Sequence, residues 1–396
     1  MAKQVDFSII VVTYNRNERL KECLNSFKQQ SNGSFEVVVI DRGSEPSAEP
    51  VVTELNDIRF TYKKSSQEIH FCDVVNEAIK YINGKYLCVF GDDDCIHKKT
   101  LELVAKTFQM NKDSDLVMIG SCSIRKGSRE SILFPSHFST DNNFGYFQPE
   151  TKLLKFSGKD WIKYILSVQF IGKKIECNFP TYIHPSTTFI KRSELFDKVV
   201  KQQGGIAVKP SFDSGYIGLA YYTNIVYINA PLAIITFGVD NVSVANRRFW
   251  DKETKDIKYM PKISQLENRG ADSLLNVLHL NNIQDNFDTH IQLKLYRMIL
   301  RSILKDPIWD RQTLKDICVL FLHYFRDSKI KIDVLYEYTK QILSNCVKYF
   351  SRKEKIQPQK SFNKYITAGQ LCNVVDMLFN TQIGLIEIEL NNNKIE

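Results

Sequence analysis

Three consecutive carboxylates, Asp92, Asp93 and Asp94, follow a short apolar segment and are the side chains of this chain best suited to chemistry. Residues 86–90 (YLCVF) have the length and composition of a buried strand, and Gly91 interrupts the segment directly before the carboxylates. Hard divalent cations such as Mg²⁺ prefer oxygen ligands, and proteins commonly hold them with carboxylates, substrate phosphates and water. The pattern therefore indicates a divalent metal site for a phosphate-bearing ligand, although an isolated acidic triplet is equally typical of a solvated turn.

Two β-branched segments upstream predict strands that bring further polar residues to the same place. Residues 7–12 (FSIIVV) and 35–40 (FEVVVI) are typical of strands that are buried on both faces. The segment between them predicts an amphipathic helix, since its apolar residues recur at helical spacing. These apolar residues are Leu20, Cys23, Leu24 and Phe27.

Strand, helix and strand in this order imply a right-handed parallel crossover, and hence a sheet with helices on its faces. Ligands of open α/β sheets bind at the carboxyl ends of the strands. We therefore expect Thr13, Tyr14 and Asn15, which end the first strand, to lie near Asp41, which ends the second. The acidic triplet should arrive at the same edge of the sheet.

The pattern continues through four βα units over about the first 110 residues. The later elements that it predicts are a helix over 48–56, a strand over 58–62, a helix over 71–82, the strand over 86–90, a helix over 101–110 and a strand over 115–123. Residues 125–150 are polar and aperiodic, and so long a connection is typical of a functional or disordered loop or of a plain surface insertion. Further strands are predicted over 225–228 and 233–236.

Three segments together carry a family resemblance. In order and spacing, SIIVVTYNR, EVVVIDRGS and NEAIKYINGKYLCVFGDDD resemble the N-terminal half of a family 2 glycosyltransferase with the GT-A fold. The resemblance covers about residues 5–105. It implies an α/β fold with a GT-A Rossmann-like mixed sheet, and an inverting enzyme that takes a sugar from a nucleoside-diphosphate donor.

The resemblance also implies roles for individual residues. Residues after the first strand would contact the base and ribose of the donor, Asp41 would hydrogen-bond the base, often uracil, and the acidic triplet would hold Mn²⁺ or Mg²⁺ bridging to the diphosphate. The donor-binding residues implied are Thr13, Tyr14, Asn15, Arg16, Asp41 and Asp92, and the metal ligands are Asp92, Asp93 and Asp94.

The chain departs from the usual family pattern in two places. The commonest acidic motif is D-S-D-D, and here Gly91 stands in its first position. Register with the family favours Asp93 as a direct ligand, while Asp92 and Asp94 still form a D-x-D, so the ranking of the three stays open. Arg42 stands where an acidic residue is frequent, and it would add positive charge near the nucleotide.

An inverting transfer is a single displacement, so it needs a base that takes the proton from the acceptor hydroxyl. Asp213 leads the apolar helical segment 217–222, which matches where the family carries its base. The alternative is an aspartate that only caps the helix. Asp160 and Asp240 are the second choices for the base.

Three other side chains are weaker candidates. His184 lies in the segment PTYIHPSTTFIKR (180–192), which resembles a later strand of the family, and it is either a metal or phosphate ligand or a structural histidine before Pro185. Arg247 and Arg248 follow the family's closing loop and are either phosphate contacts or a solvated basic pair.

The character of the sequence changes near residue 251, where strand signals fade and apolar residues recur at helical spacing. We therefore predict a catalytic domain over 1–250 and an all-helical accessory region over 251–396. The basic, amphipathic segment 340–355 either lies on an anionic membrane or packs on neighbouring helices. The helical region is also a reasonable place for a contact between two copies of the chain.

Composition limits the remaining possibilities. The formal net charge is +8, which suits an anionic small molecule or membrane surface and is too dispersed for nucleic acid. The nine cysteines form no C-x-x-C pair, which indicates reduced, buried thiols. No apolar segment approaches the roughly 18 residues of a membrane span. We expect a cytoplasmic protein, with peripheral attachment to the inner face of the plasma membrane left open.

The resemblance, taken with the acidic triplet, implies an inverting, metal-dependent glycosyltransferase. It would move a sugar from a nucleoside diphosphate, UDP in the first instance, to a hydroxyl of a bacterial surface glycan such as capsule or lipopolysaccharide. The acceptor would be a glycan or a lipid-linked glycan. Two alternatives remain: a sugar nucleotidyltransferase, which the lack of a Gly-rich loop after the first strand disfavours, and a catalytically silent scaffold that binds nucleotide-sugar.

Overall fold

The structure is a computed structural model that describes residues 5–65, 69, 71–126, 131–133, 153–162, 183–208, 214–238, 281, 383–384, 386–388 and 390–391. Its strands are β1 (Phe7–Thr13), β2 (Phe35–Asp41), β3 (Phe60–Lys64), β4 (Tyr86–Gly91), β5 (Cys95–Ile96), β6 (Ser114–Lys126), β7 (Ser131–Leu133), β8 (Leu153–Ser157), β9 (Thr188–Lys191) and β10 (Asn224–Gly238). Its helices are α1 (Asn17–Lys28), α2 (Glu49–Thr53), α3 (Phe71–Ala78), α4 (Thr100–Met110), α5 (Glu194–Gln203) and α6 (Ser214–Tyr221), with short 3₁₀ turns at Ile79–Tyr81 and Pro185–Thr187.

The strands form one mixed sheet in the order β3-β2-β1-β4-β9-β6-β10-β5, with β7 on β6 and β8 on β10. The strands β3, β2, β1 and β4 run parallel to one another. β9 lies antiparallel to both β4 and β6, and β5 lies antiparallel to β10. The predicted α/β fold with a mixed sheet is therefore confirmed, and β4 stands where the parallel half of the sheet ends.

Apolar residues on both faces of the central strands pack against helices. Ile9 and Val11 belong to a core shared with α1 and α4, whereas Ile10 and Val12 belong to a second core shared with α3, α5 and α6. A parallel strand buried on both faces reads as a continuous apolar segment, which is why β1 shows no polar alternation. All seven residues of β1 are buried.

Most predicted elements are present with small shifts at their ends. The strand predicted over 58–62 lies at Phe60–Lys64, and the helix predicted over 71–82 is α3 followed by a 3₁₀ turn. One prediction was wrong: the two strands expected at 225–228 and 233–236 are the single strand β10, which is interrupted by register shifts around Pro231. A bulge lets a strand bend without ending its pairing, and Pro231 has no N–H to give to the ladder.

A short segment near the end of the chain packs into the first core. The side chains of Ile383, Ile386 and Leu390 are buried there, and Glu387 accepts two hydrogen bonds from Lys99 Nζ at 2.7 and 2.8 Å. The rest of the predicted accessory region lies outside the described residues, apart from Asn281. The division at residue 250 therefore stays a prediction, with 383–391 in contact with the catalytic side of it.

Two further predictions concern the surroundings of the chain. The thiols of Cys23, Cys72, Cys88 and Cys95 are buried, as predicted, and no disulfide joins any two of these four described cysteines. None of the helices in the described ranges is both long and apolar enough to cross a membrane.

Candidate active site

The three predicted carboxylates form a turn, here named the acidic turn (residues 92–94), between β4 and β5. β4 pairs with β1 on one side and with β9 on the other. Thr13, at the end of β1, reaches the same edge of the sheet as the turn. The strand topology therefore delivers the acidic turn and the end of β1 together, as the sequence predicted.

Asp92 is held by the β1 side of the turn. Its Oδ2 accepts a hydrogen bond from Thr13 Oγ1 at 2.8 Å, and its Oδ1 accepts one from Arg16 Nη1 at 2.9 Å. Both Thr13 and Asp92 are buried. The interaction therefore couples the first strand to the acidic turn through one neutral and one charged donor.

Asp93 also faces arginines. Its Oδ2 lies 3.2 Å from Nη1 of Arg16, so one guanidinium bridges Asp92 and Asp93. Nη1 of Arg19, one turn into α1, lies 3.7 Å from the same Asp93 oxygen. The side chain of Asp93 is 10% exposed against 4% for Asp92.

Asp94 is held from the opposite side, by two residues that sequence reasoning did not single out. Its Oδ2 accepts a hydrogen bond from Ser186 Oγ at 2.6 Å, and its Oδ1 accepts one from the backbone N–H of Thr236 at 2.9 Å. The same Ser186 Oγ accepts from the N–H of Gly91 at 3.0 Å. The segment 180–192 and the strand over 233–236 were recognised, but no spacing rule links either one to Asp94 across 92 or 142 residues.

The two buried carboxylates differ in their electrostatic surroundings. Burial raises the pKa of Asp92 to about 6, and the Arg16 guanidinium works against that rise. Burial and then the charge of Asp93 raise the pKa of Asp94 to about 8, although Ser186 and the Thr236 N–H partly oppose it. Among the described residues, Asp92 is paired with a guanidinium, whereas Asp94 meets a hydroxyl and a backbone N–H, and the pKa of Asp94 is raised further.

The thiol of Cys23, in α1, lies close enough to the acidic turn to be affected by its charges. Its pKa is raised well above the usual value, first by burial and then by the charges of Asp92, Asp94 and Asp93. The sulfur lies 3.4 Å from the carbonyl oxygen of Gly91.

Gly91 departs from the family motif for a visible steric reason. A Cβ atom at this position would lie 2.8 Å from Asp94 Oδ2 and 3.1 Å from Asp93 Oδ1. With a side chain there, the carboxylates could not keep their present arrangement. The absence of a side chain at Gly91 therefore allows the carboxylates of Asp93 and Asp94 to pack closely against the backbone.

The donor set fits a hard divalent cation, since the three carboxylates and nearby hydroxyls supply only oxygen. In the described part of the chain, however, no three ligating side chains converge closely enough to form a ready-made metal site. The reason is visible in the contacts: Asp92 points to Thr13 and Arg16, while Asp94 points to Ser186 and β10. Ligation by all three carboxylates stays a prediction.

Asp41, predicted to contact the base, is buried and holds its own loop. Its Oδ1 accepts hydrogen bonds from the N–H and Oγ of Ser44, and its Oδ2 accepts from the N–H of Ala48 and from Tyr62 Oη. Burial would raise the pKa of Asp41, but these hydrogen bonds outweigh it and lower the pKa. A carboxylate has about four acceptor positions, so a base contact would require one of these bonds to be exchanged.

The loops after β1 and β2 are joined to each other next to Asp41. The Asn15 N–H donates to Ser44 Oγ at 2.9 Å, and Asn15 Oδ1 accepts from the Glu45 N–H at 2.8 Å. Asn15 has a φ of 53°, a left-handed conformation that asparagine tolerates. Tyr14 is half-buried beside it, and the guanidinium of Arg42 is buried and donates to the carbonyl of Ile69 at 2.7 Å.

The remaining candidates are less informative. His184 Nδ1 accepts from the N–H of Ser186 and caps the turn that carries Ser186, and burial lowers the pKa of His184 to about 4. These contacts fit the structural alternative, and a role as a ligand stays a prediction. Asp160 is exposed near the end of β8. The preferred base Asp213, the second choice Asp240 and the basic pair Arg247 and Arg248 lie outside the described residues.

The chain is similar to several known proteins. The sequence model of the family described as Glycosyl transferase family 2 matches residues 8–167. An uncharacterized glycosyltransferase of Methanocaldococcus jannaschii is 30% identical over 114 residues, which is 28% of this chain and 39% of that protein. Glycosyltransferase GlyG of Streptococcus pneumoniae is 22% identical over 331 residues, which is 80% of this chain and 95% of GlyG. Residues 1–349 of S. aureus TarS, solved in complex with UDP-GlcNAc, are 16% identical with a TM-score of 0.47, over 91% of this chain and 99% of that one.

Proposed function

We propose that this chain is an inverting, metal-dependent glycosyltransferase, since its residues 8–167 match the model of Glycosyl transferase family 2. It would move a sugar from a nucleoside diphosphate, UDP in the first instance, to a hydroxyl of a bacterial surface glycan. The observation that carries the proposal is the acidic turn itself. It lies at the carboxyl edge of the sheet beside the end of β1 and contains two buried carboxylates with raised pKa values. Capsule or lipopolysaccharide remains the class of acceptor proposed, as a glycan or a lipid-linked glycan.

In this proposal the joined loops after β1 and β2 form the nucleoside end of the site. Thr13, Tyr14, Asn15 and Arg16 follow β1, and Asp41 fixes the loop after β2 through Ser44 and Ala48. The loop is therefore held in shape before the donor arrives, which reduces the entropy lost when a ligand binds. Asp41 contributes either through this shape or by exchanging one of its hydrogen bonds for the base.

The acidic turn forms the diphosphate end. Asp92, Asp93 and Asp94 would hold Mn²⁺ or Mg²⁺. Asp93 offers the most accessible oxygens of the three, because Asp92 and Asp94 are buried and the Asp93 side chain is partly exposed. When bound, the metal ion would supply stabilisation of the charge that develops on a departing nucleoside diphosphate. Ser186 and Thr236 keep Asp94 in one orientation, as a preorganised site requires.

Asp213 is the base that we propose takes the proton from the acceptor hydroxyl. The described helix α6 begins at Ser214, which directly follows Asp213 in the sequence. A carboxylate there is stabilised in its charged form by the helix N-terminus, which also fits the alternative of a plain cap. Replacing Asp213 with Asn separates the two, because Asn is as good a cap but cannot accept the proton.

Donor binding is tested by thermal unfolding of the full chain with a panel of nucleoside diphosphates, each with and without Mn²⁺. A ligand that binds only the folded state stabilises it by roughly 2.7 kcal/mol at a hundred times its Kd. We expect stabilisation by UDP that requires Mn²⁺ and is lost in Asp93→Ala. The matched control is Asp113→Ala, which removes an exposed aspartate paired with Lys155 away from the acidic turn.

The outcomes distinguish the candidate functions. No shift with any nucleotide would overturn the transferase proposal and favour the silent scaffold. A shift with a different nucleotide would keep the enzyme and replace the donor. Nucleotide binding together with loss of transfer in Asp213→Asn, measured as release of nucleoside diphosphate, would support the base.

A further inference from the structure

The guanidinium of Arg16 occupies the place between two of the proposed metal ligands. A single nitrogen, Nη1, lies 2.9 Å from Asp92 Oδ1 and 3.2 Å from Asp93 Oδ2. The Arg16 side chain is 13% exposed, so the ion pairs are shielded from most of the surrounding water. Breaking a buried charge pair of this kind is costly, because it leaves the partner charge uncompensated.

We propose that Arg16 is an internal counter-ion of the acidic turn, which must leave Asp92 and Asp93 before a divalent cation can bind there, so that the metal affinity of the chain is set by competition with this arginine. The inference rests on the proposed function, because it takes the acidic turn as the metal site. It goes beyond that function by assigning Arg16 a regulatory role instead of a simple donor contact.

The chemistry of the side chain requires this competition. Arginine remains charged at any physiological pH, so its positive charge cannot be removed by loss of a proton. A guanidinium nitrogen and a metal ion that both contact one carboxylate oxygen repel each other, so they compete for Asp92 Oδ1 and Asp93 Oδ2. The guanidinium therefore has to move for a metal ion to bind through these two oxygens together.

The backbone around Arg16 allows its head group to move without unfolding the loop. The Arg16 carbonyl oxygen accepts from the N–H of Leu20 at 2.9 Å, which fixes the backbone at the start of α1. Asn15, directly before it, is held by Ser44 and Glu45. Only the long side chain of Arg16 then has to change its rotamer.

Arg19 provides a matched control on the same helix. Its Nη1 lies 3.7 Å from Asp93 Oδ2, beyond hydrogen-bond distance, and its side chain is more exposed, at 21%. Replacing Arg19 removes the same charge from the same region without removing the bridge between two carboxylates. A long-range charge effect should therefore appear in both variants, and displacement only in the Arg16 variant.

The experiment is a titration of the purified full chain with Mn²⁺ alone, in which binding is measured by calorimetry or from the electron paramagnetic resonance signal of free Mn²⁺. We expect Arg16→Gln to bind Mn²⁺ about tenfold more tightly than the wild type, the size of one typical coupling between sites. We expect Arg19→Gln to stay within about threefold of the wild type, because its Nη1 lies 3.7 Å from Asp93 Oδ2, beyond hydrogen-bond distance. Arg16→Lys, which keeps the charge on a shorter side chain, should lie between the two.

A second readout is the stability of the protein in urea. Metal-free Arg16→Gln should be less stable than the wild type, and saturating Mn²⁺ should remove the difference. If Arg16→Gln does not fold without metal, the comparison of Arg16→Lys with Arg19→Lys decides instead, with the larger gain in Mn²⁺ affinity expected in Arg16→Lys.

Weaker or unchanged Mn²⁺ binding in Arg16→Gln, with the wild type binding Mn²⁺ and nucleotide normally, would overturn this inference alone and leave Arg16 as a structural brace. Equal gains in the Arg16 and Arg19 variants would also overturn it, because general charge would then explain the result. Failure of the wild type to bind Mn²⁺ or any nucleoside diphosphate would overturn the proposed function as well.

Discussion

The two halves of the sheet hold the acidic turn in different ways. The parallel half, β3-β2-β1-β4, is built from the continuous stretch 7–91 and holds Asp92 through Thr13 and Arg16. The other half, β9-β6-β10-β5, is collected from distant parts of the chain and holds Asp94 through Ser186 and Thr236.

The difference lies in the kind of partner that each half offers. The parallel half presents a full positive charge to Asp92, whereas the other half presents only a hydroxyl and a backbone N–H to Asp94. The pKa of Asp94 is accordingly raised further, to about 8, than that of Asp92, at about 6. The parallel half therefore pairs Asp92 with a positive charge, whereas the other half fixes the orientation of Asp94 through hydrogen bonds from neutral groups.

The largest effect is expected from the distant segment that completes the first core. Leu390→Ala should lower the free energy of unfolding by about 2–5 kcal/mol, because it leaves a cavity at a fully buried position. Urea unfolding of the full chain measures this. Glu387→Gln is the control on the same segment, and we expect less than about 1 kcal/mol because its pair with Lys99 is partly exposed. A loss below about 0.5 kcal/mol in Leu390→Ala would mean that the segment is not part of the core.

A smaller effect should separate the two hydroxyls that contact the acidic turn. Ser186→Ala should cost about 1–3 kcal/mol, because it leaves the N–H of Gly91 without its acceptor and removes a donor to Asp94. Thr13→Val keeps the shape of the side chain and leaves Asp92 paired with Arg16, so a cost nearer 0.5–1.5 kcal/mol is expected. Equal costs, or the reverse order, would contradict the division between an orienting and a neutralising half.

The last expected effect is a difference in how stability depends on pH without metal. A carboxyl whose pKa is raised by folding binds its proton more tightly in the folded state, so its contribution is complete below about pH 4 and is lost as the pH rises through the folded pKa. For Asp94 the loss should extend to about pH 8, and for Asp92 only to about pH 6. Each proton contributes a slope of at most about 1.4 kcal/mol per pH unit.

Urea unfolding of the metal-free protein between pH 5 and 8 measures this slope. Asp94→Asn should flatten the pH dependence above about pH 6, while Asp92→Asn should leave that part unchanged. The comparison of halves would fail if Asp92→Asn altered the dependence above pH 6 as much as Asp94→Asn does.

The parallel half and the acidic turn could be predicted from the sequence because their signals are local. A β-branched segment followed by polar residues predicts a buried strand and its carboxyl end, and the topology of parallel crossovers then brings Thr13 and Asp92 to one edge. The structure confirms the strand, the edge and the burial. The roles of the donor-binding residues and of the metal ligands stay predictions.

The contacts of Asp94 could not be predicted in the same way. Ser186 and Thr236 lie in segments without a clear hydrophobic periodicity, in the turn before β9 and in β10. These elements are 92 and 142 residues from Asp94 along the chain, and the pairing of β9 and β10 with β6 places them beside it. Periodicity describes which face of an element is apolar, and it carries no information about the partner of that face. The role of Asp41 in holding its own loop could not be predicted either, because it depends on four hydrogen bonds that form only in the folded loop.

The sequence by itself determined the order of the βα units, the burial of the central strands and the place of the three carboxylates, since these follow from spacing along the chain. Only the tertiary structure decided which cation or hydroxyl each carboxylate meets, that Gly91 leaves no room for a side chain, and that Ile383, Ile386 and Leu390 join the first core. The physical reason is that hydrogen bonds and ion pairs act over about 3 Å, and the distances that separate groups in the fold are not encoded in their separation along the chain.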